Sequence, residues 1–197
     1  MEGIQESLAG RVCLLQMAPM SQAEICGAAP APFVLDLEQL SQRVKERSSI
    51  DTPALYERIF RGGMPALISG QYSDYRAVYS SYISTYIDRD VKEISGAILE
   101  NFAVSEIAKS YQNCGQEAFI YYYRDKDTKE IDILLEDSGK LYPMEIKKTA
   151  TPQSQLTRVF GVIDKAALER GTGAVLCTTD RLSAFDSRNL IVPIWGI

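Results

Sequence analysis

Apolar residues in the second half of the chain recur in blocks whose period changes from helical to strand-like. Between residues 97 and 111 they recur every three or four positions, which predicts a helix. Shorter blocks follow, in which aromatic and β-branched residues dominate or alternate with charged ones. These blocks predict three strands, at residues 118–124, 129–136 and 141–148. Polar turns at 125–128 and 137–139 separate the strands.

Further elements follow the third strand. Thr151-Pro152 predicts the start of a second helix, with proline at its first position, and this helix is expected to run to about Arg170. Two apolar strands are predicted after it, at 173–178 and 190–195. The order is αβββαβ with an extra strand, which predicts an α/β fold with a mixed sheet (α+β).

The first half of the chain reads as mostly helical. Residues 28–32, Ala-Ala-Pro-Ala-Pro, predict a stiff linker and a boundary. Helices are expected at 35–47 and 52–60. Five tyrosines share one helical face, which is packing surface or a surface for stacking on bases: Tyr72, Tyr75, Tyr79, Tyr82 and Tyr86.

Alternation along the second and third strands brings charged residues together. Side chains on a strand point to opposite faces in turn, so one face of the second strand should carry Ile131, Ile133 and Leu135, and the other Glu130, Asp132 and Leu134. A hairpin that faces Asp132 toward Glu145 places two carboxylates beside Lys147. Paired carboxylates repel, and a divalent cation such as Mg²⁺ relieves the repulsion. The alternative is that these charges only face water.

Glu100 is a fourth polar candidate, on the helix at 97–111. It shares a helical stripe with Val104, Ile107 and Tyr111. A carboxylate on an apolar stripe needs a partner. The alternative is that it sits near the helix start, where the helix dipole favours a negative charge.

Composition restricts the chemistry open to this chain. Its 197 residues contain no histidine, which excludes serine–histidine and cysteine–histidine catalysis and histidine-ligated zinc. The four cysteines form no Cys-x-x-Cys pair, so reduced thiols are expected. No apolar run has the length of a membrane span and no signal-peptide pattern is present, so a cytoplasmic protein without membrane contact is expected.

The net charge of −5 argues against tight, nonspecific binding to nucleic acid. A local basic cluster near the candidate site is the counterargument, and it comprises Arg124, Lys126, Lys129, Lys147 and Lys148. Acidic neighbours at 125, 127, 130 and 136 could cancel that cluster.

Asp132 followed by Glu145-Ile-Lys147 resembles the metal-dependent nuclease pattern, PD-(D/E)XK, of the restriction-endonuclease-like superfamily. A narrower resemblance is to prokaryotic AAA-type ATPases that carry a C-terminal domain of unknown function with this nuclease-like fold. It rests on residues 6–12, 62–65, 82–91, 97–109, 122–125, 130–132, 143–147 and 192–195. It implies three parts: the end of an ATPase domain at 1–27, a helical connector at 28–95 and a restriction-endonuclease-like domain at 96–197.

The chain departs from that family in two ways. It has no Gly-x4-Gly-Lys-Ser/Thr loop, so ATP binding is implied only for full-length relatives. The winged-helix-like segment expected near residues 94–96 is also missing, so we expect a shortened relative, a gene fragment or an internally deleted form.

The resemblance implies a metal-dependent nuclease acting on DNA. Asp132 and Glu145 would hold Mg²⁺, Lys147 would assist and Glu100 would complete the site. The alternatives are a non-catalytic interaction module for DNA or a partner ATPase, and a truncated relic whose N-terminal third cannot pack.

Overall fold

The computed structural model describes residues 17–72, 74, 91–126 and 128–197, with the backbone alone at 91–95. The segment at 6–12, most of the segment at 82–91 and four of the five tyrosines of the predicted stripe lie outside these residues. Of that stripe the structure describes Tyr72, which is exposed.

Short helices form the described N-terminal region: α1 (Gln22–Ile25), α2 (Leu37–Glu46), α3 (Thr52–Arg61) and α4 (Pro65–Ile68). Asp36 and Asp51 cap α2 and α3, and each side chain accepts a hydrogen bond from a backbone N–H in the first turn. The helices predicted at 35–47 and 52–60 are therefore confirmed.

A long helix, α5 (Val91–Gln112), precedes a seven-stranded mixed sheet. Its strands are β1 (Phe119–Arg124), β2 (Glu130–Asp137), β3 (Lys140–Lys147), β4 (Glu169–Arg170), β5 (Gly173–Cys177), β6 (Ser183–Asp186) and β7 (Asn189–Pro193). The order across the sheet is β1-β2-β3-β5-β7-β6, with β4 beside β3. β3, β5 and β7 run parallel, and β1–β2, β2–β3 and β6–β7 pair antiparallel. The predicted class, α/β with a mixed sheet, is confirmed; β4 and β6 were not predicted.

Two apolar clusters cover the sheet. The larger joins residues of β2, β3, β5 and β7 to α5 and to the N-terminal region, where Phe33, Leu40 and Leu55 are fully buried. The smaller contains Ile131, Leu134, Leu141, Phe160 and Ile163. Helices α2 and α3 therefore share one core with the sheet. None of the described helices is both long and apolar enough to span a bilayer.

The helix predicted from Thr151 to Arg170 is wrong in type and extent. The chain forms a 3₁₀ helix at Ser154–Lys165 and then the short strand β4. A 3₁₀ helix has three residues per turn. The apolar residues follow that spacing, because Val159 and Val162 are three apart and so are Phe160 and Ile163. Only Phe160 and Ile163 of this segment are buried against the sheet.

β2 contains an irregularity that the alternation pattern did not predict. Between the pairs Tyr121–Leu134 and Tyr123–Ile131, β1 advances by two residues and β2 by three. β2 therefore has one extra residue, and positions 132 and 133 together lie opposite a single residue of β1.

This β-bulge changes which residues share a face. Ile133 and Leu135 pack in the larger cluster, as alternation predicts. Ile131 packs with Leu134 in the smaller cluster instead. The prediction that Ile131 shares a face with Ile133 and Leu135 is wrong, because an extra residue reverses the alternation on one side of the bulge.

Candidate functional site

The hairpin of β2 and β3 brings Asp132, Glu145 and Lys147 together. The Lys147 ammonium lies 3.1 Å from Asp132 Oδ2 and 2.9 Å from Glu145 Oε2. A single lysine thus bridges two carboxylates that come from neighbouring strands.

The bulge explains how Asp132 reaches this position. Backbone pairing between β2 and β3 is regular from Asp137 and Lys140 to Ile133 and Met144, and it stops there. At the next step the Asp132 carboxylate itself accepts the Ile146 N–H, at 2.8 Å. The side chain replaces a backbone acceptor where the two strands separate, so its orientation is set by the sheet.

The two carboxylate side chains are less exposed to solvent than the lysine side chain. The exposed fractions of the side chains are 16% for Asp132, 9% for Glu145 and 38% for Lys147. Burial raises the pKa of Glu145 to about 7; the Lys147 ammonium opposes this rise and the Asp132 carboxylate adds to it. Burial lowers the pKa of Lys147, but the two carboxylates outweigh that effect and the net pKa is raised.

The raised pKa of Glu145 predicts how stability depends on pH. The folded chain binds this proton more tightly than the unfolded chain, so the stabilisation is complete below pH 4.5 and is lost as pH rises through about 7. We expect the free energy of unfolding of the parent, relative to that of Glu145→Gln, to fall by about 1–3 kcal/mol from pH 4.5 to pH 8. Urea unfolding of both proteins across this range measures the difference. An unchanged difference would mean that Glu145 titrates as an ordinary carboxyl group.

The donor set fits a hydrated ion. Two carboxylates are the protein ligands that Mg²⁺ commonly uses, because it retains several waters. The Lys147 ammonium between them shows that a positive charge is accommodated at this position. Among the described residues no three acidic or cysteine side chains form a metal-ligating group. The residues therefore fit Mg²⁺ with a mostly water shell, and they do not fit an ion enclosed by protein ligands.

No hydrogen bond or ion pair of the described residues joins Glu100 to this cluster. Glu100 is exposed on α5, and Val104 is exposed as well. The buried stripe of α5 comprises Leu99, Ala103, Ile107 and Tyr111. Ile107 and Tyr111 of the predicted stripe are buried, but Glu100 and Val104 are not, because the buried face of α5 is offset from these two residues.

The buried acid of α5 is Glu106, which sequence reasoning missed. Its carboxylate accepts the Gln22 N–H at 2.7 Å and pairs with Lys109 at 2.8 Å. The spacing of Glu106, three residues after Ala103 and one before Ile107, is the signal that could have found it. It joins the N-terminal region to α5, away from the hairpin.

The basic residues of the β1–β2 region are paired with acids. Arg124 lies 3.0 Å from Glu130, and Lys129 lies 4.0 Å from Asp125. The interpretation that acidic neighbours cancel these charges therefore holds for Arg124 and Lys129.

A cleft of about 350 Å³ opens beside the carboxylate pair. It lies between the end of β3 and the start of the 3₁₀ helix, and Lys147 forms part of its wall. Its lining includes Lys147 and Lys148 together with threonine and glutamine side chains, and it contains no carboxylate. Both lysines have partners: Asp132 and Glu145 hold the Lys147 ammonium, and the Lys148 ammonium lies 5.0 Å from the centre of the Tyr56 ring.

Comparison with known proteins gives family matches alone. Residues 95–197 match the family described as domain of unknown function DUF4143, and these residues include the whole sheet. Residues 52–132 match a second family, domain of unknown function DUF8612. No curated protein and no solved structure matches the chain.

Proposed function

The chain belongs to the family of the domain of unknown function DUF4143, and from that premise we propose that it is a Mg²⁺-dependent nuclease. The proposed reaction is hydrolysis of a phosphodiester bond in DNA, by a domain of the restriction-endonuclease-like type that serves an AAA-type ATPase. One observation carries the proposal. Asp132, Glu145 and Lys147 meet where two strands separate, at the edge of a cleft lined by lysines and polar side chains.

Asp132 and Glu145 are the residues that would hold Mg²⁺. When bound, the ion supplies positive charge to the scissile phosphate and lowers the pKa of its water. Asp132 is held by the Ile146 N–H, so it enters the reaction with its orientation set. Glu145 must first lose the proton that burial favours, so cation binding should strengthen as pH rises through about 7.

Lys147 has two roles in this proposal. Without the ion its ammonium forms an ion pair with each of the two carboxylates. If Asp132 and Glu145 held the ion, the Lys147 ammonium would be free to donate a hydrogen bond to a phosphate oxygen as negative charge develops there. Its position in the wall of the cleft supports this second role.

Replacing Lys147 with glutamine separates the two roles. Lys147→Gln should bind Mg²⁺ and Mn²⁺ more tightly than the parent, because the competing ammonium is gone. Its cleavage rate should fall about 10²–10³-fold, because a donor to the developing charge is lost. Isothermal titration gives the affinity, and nicking of supercoiled plasmid gives the rate.

Lys147→Arg is the matched control, because it retains the charge. We expect it to bind the ions about as weakly as the parent does. Cleavage by Lys147→Gln at the parental rate would remove Lys147 from the proposed chemistry. Absence of cation binding in a folded parent would contradict the nuclease proposal itself.

A non-catalytic interaction module is the second candidate, and one observation favours it. Lys147 satisfies both carboxylates without an ion, as it would in a structural charge cluster. This candidate predicts that Lys147→Gln destabilises the chain and gains no cation affinity, because two buried carboxylates lose their partner. The same titration therefore separates the two candidates.

A further inference from the structure

β1 presents two exposed aromatic side chains on one face of the sheet. Phe119 and Tyr121 are 50% and 48% exposed. Tyr121 pairs with Leu134, and Leu134 pairs with Pro143 of β3. Residues paired across strands share a face, so both rings lie on the face that carries Leu134.

The candidate site lies on this same face. Glu145 and Lys147 follow Pro143 by two and four residues along β3, so alternation keeps all three on one side. Tyr121 and Lys147 are separated by two strand spacings and four residues, which is roughly 16 Å. An extended polymer of several units can span that distance.

Packing among the residues that the structure describes leaves about half of each ring exposed. The 3₁₀ helix covers the middle of this face through Phe160 and Ile163. β1 is the terminal strand of the sheet, and its rings lie beyond that cover. Alternate residues of a strand are roughly 7 Å apart, so Phe119 and Tyr121 form a platform of two neighbouring rings.

We propose that this platform binds single-stranded nucleic acid, with bases stacked on Phe119 and Tyr121 and the backbone continuing to the lysine-lined cleft. The inference rests on the proposed nuclease function and names its substrate class. A base can stack on an aromatic ring only when its face is free, which a duplex does not allow away from its ends. Stacking also suits a chain of net charge −5, because it gives affinity without many phosphate contacts.

On this face Lys147 lines the cleft, whereas Glu136 is paired with Phe119 at the other end. The Lys147 ammonium is shared by Asp132 and Glu145 when no ion is bound. Base stacking rather than phosphate contact is therefore expected to give most of the affinity in EDTA.

Fluorescence anisotropy with the full chain, in EDTA, tests the inference without any cleavage. The probes are a labelled oligodeoxythymidine and a labelled duplex of the same length. We expect the single strand to bind more tightly, and Tyr121→Ala or Phe119→Ala to weaken its binding about 5- to 150-fold, the range given by one lost base–ring stack. Tyr121→Trp should retain the affinity, because it retains a ring.

Tyr122→Ala is the matched control. Tyr122 is on the same strand and is 57% exposed, but alternation places it on the opposite face. Its removal should change single-strand binding less than twofold. Equal losses from Tyr121→Ala and Tyr122→Ala would overturn the inference, because no specific face would then be involved.

The remaining outcomes distinguish the inference from the proposed function. Tighter binding of the duplex would overturn the inference, while plasmid nicking with Mg²⁺ could still support the nuclease. Single-strand binding that depends on Tyr121, in a protein that binds no cation, would support the platform and overturn the nuclease. Self-association that is lost in Tyr121→Ala, without nucleic-acid binding, would assign the rings to a protein contact and overturn the inference.

Discussion

Asp132→Asn is expected to lose Mg²⁺ binding and cleavage together while the chain remains folded. The amide oxygen of the variant can still accept the hydrogen bond from the Ile146 N–H, which the Asp132 carboxylate accepts at 2.8 Å in the parent. The point at which β2 and β3 separate should therefore persist. The negative charge is lost, and with it one of the two proposed ligands. We expect cation affinity to fall by more than about 100-fold, because even groups that only support a metal ligand contribute 10–100-fold.

The design separates charge from structure. Asp132→Ala removes the charge and also leaves the Ile146 N–H without its acceptor, so it should lose about 1–3 kcal/mol of stability that Asp132→Asn retains. Isothermal titration with Mg²⁺ and Mn²⁺ measures affinity, and urea unfolding measures stability. Parental cation affinity in Asp132→Asn would show that the ion, if bound, is held elsewhere.

Phe160→Ala is expected to have the largest effect on stability. Phe160 is fully buried, and it is one of two residues that hold the 3₁₀ helix on the sheet. Its ring packs so closely on Gly173 of β5 that a Cβ there would lie 2.7 Å from it. The Arg170 guanidinium lies 5.6 Å from the ring centre on another side. Removing the ring leaves a cavity, and we expect a loss of about 3–5 kcal/mol.

Val162→Ala is the control for this substitution. Val162 belongs to the same 3₁₀ helix but is only partly buried, so its loss should be roughly 1 kcal/mol. Thermal unfolding should therefore show a Tm decrease of roughly 6–20 °C for Phe160→Ala, at 2–4 °C per kcal/mol. Similar small decreases for both variants would indicate that the 3₁₀ helix contributes little to the fold.

The meeting of Asp132, Glu145 and Lys147 could be predicted because the hairpin is local. The two-residue turn Ser138-Gly139, between the paired residues Asp137 and Lys140, sets the register, and the register places residues of one strand opposite those of the next. The bulge could not be predicted in the same way. It depends on a competition between the Asp132 carboxylate and the backbone for the Ile146 N–H, which alternation does not represent.

The acidic residues of α5 show a second limit. Periodicity predicted the helix itself and several of its apolar residues. It did not predict which edge of the apolar stripe would be buried, and so selected Glu100 instead of Glu106. The burial of Glu106 depends on the Gln22 N–H, 84 residues earlier in the chain. Local spacing could have placed Glu106 beside the buried stripe, but it could not show that Gln22 supplies its partner.

By itself the sequence determined the mixed α/β class, the β2–β3 hairpin and the absence of histidine chemistry, because turn residues, alternation and composition are local properties. Tertiary structure decided the remainder. It selected a 3₁₀ helix instead of an α-helix at 154–165, where Phe160 and Ile163 find their burial on the sheet. It also left Phe119 and Tyr121 exposed on the terminal strand, on the same face of the sheet as Glu145 and Lys147. Which side chains are buried depends on which segments pack together, and the sequence of one segment does not specify its packing partners.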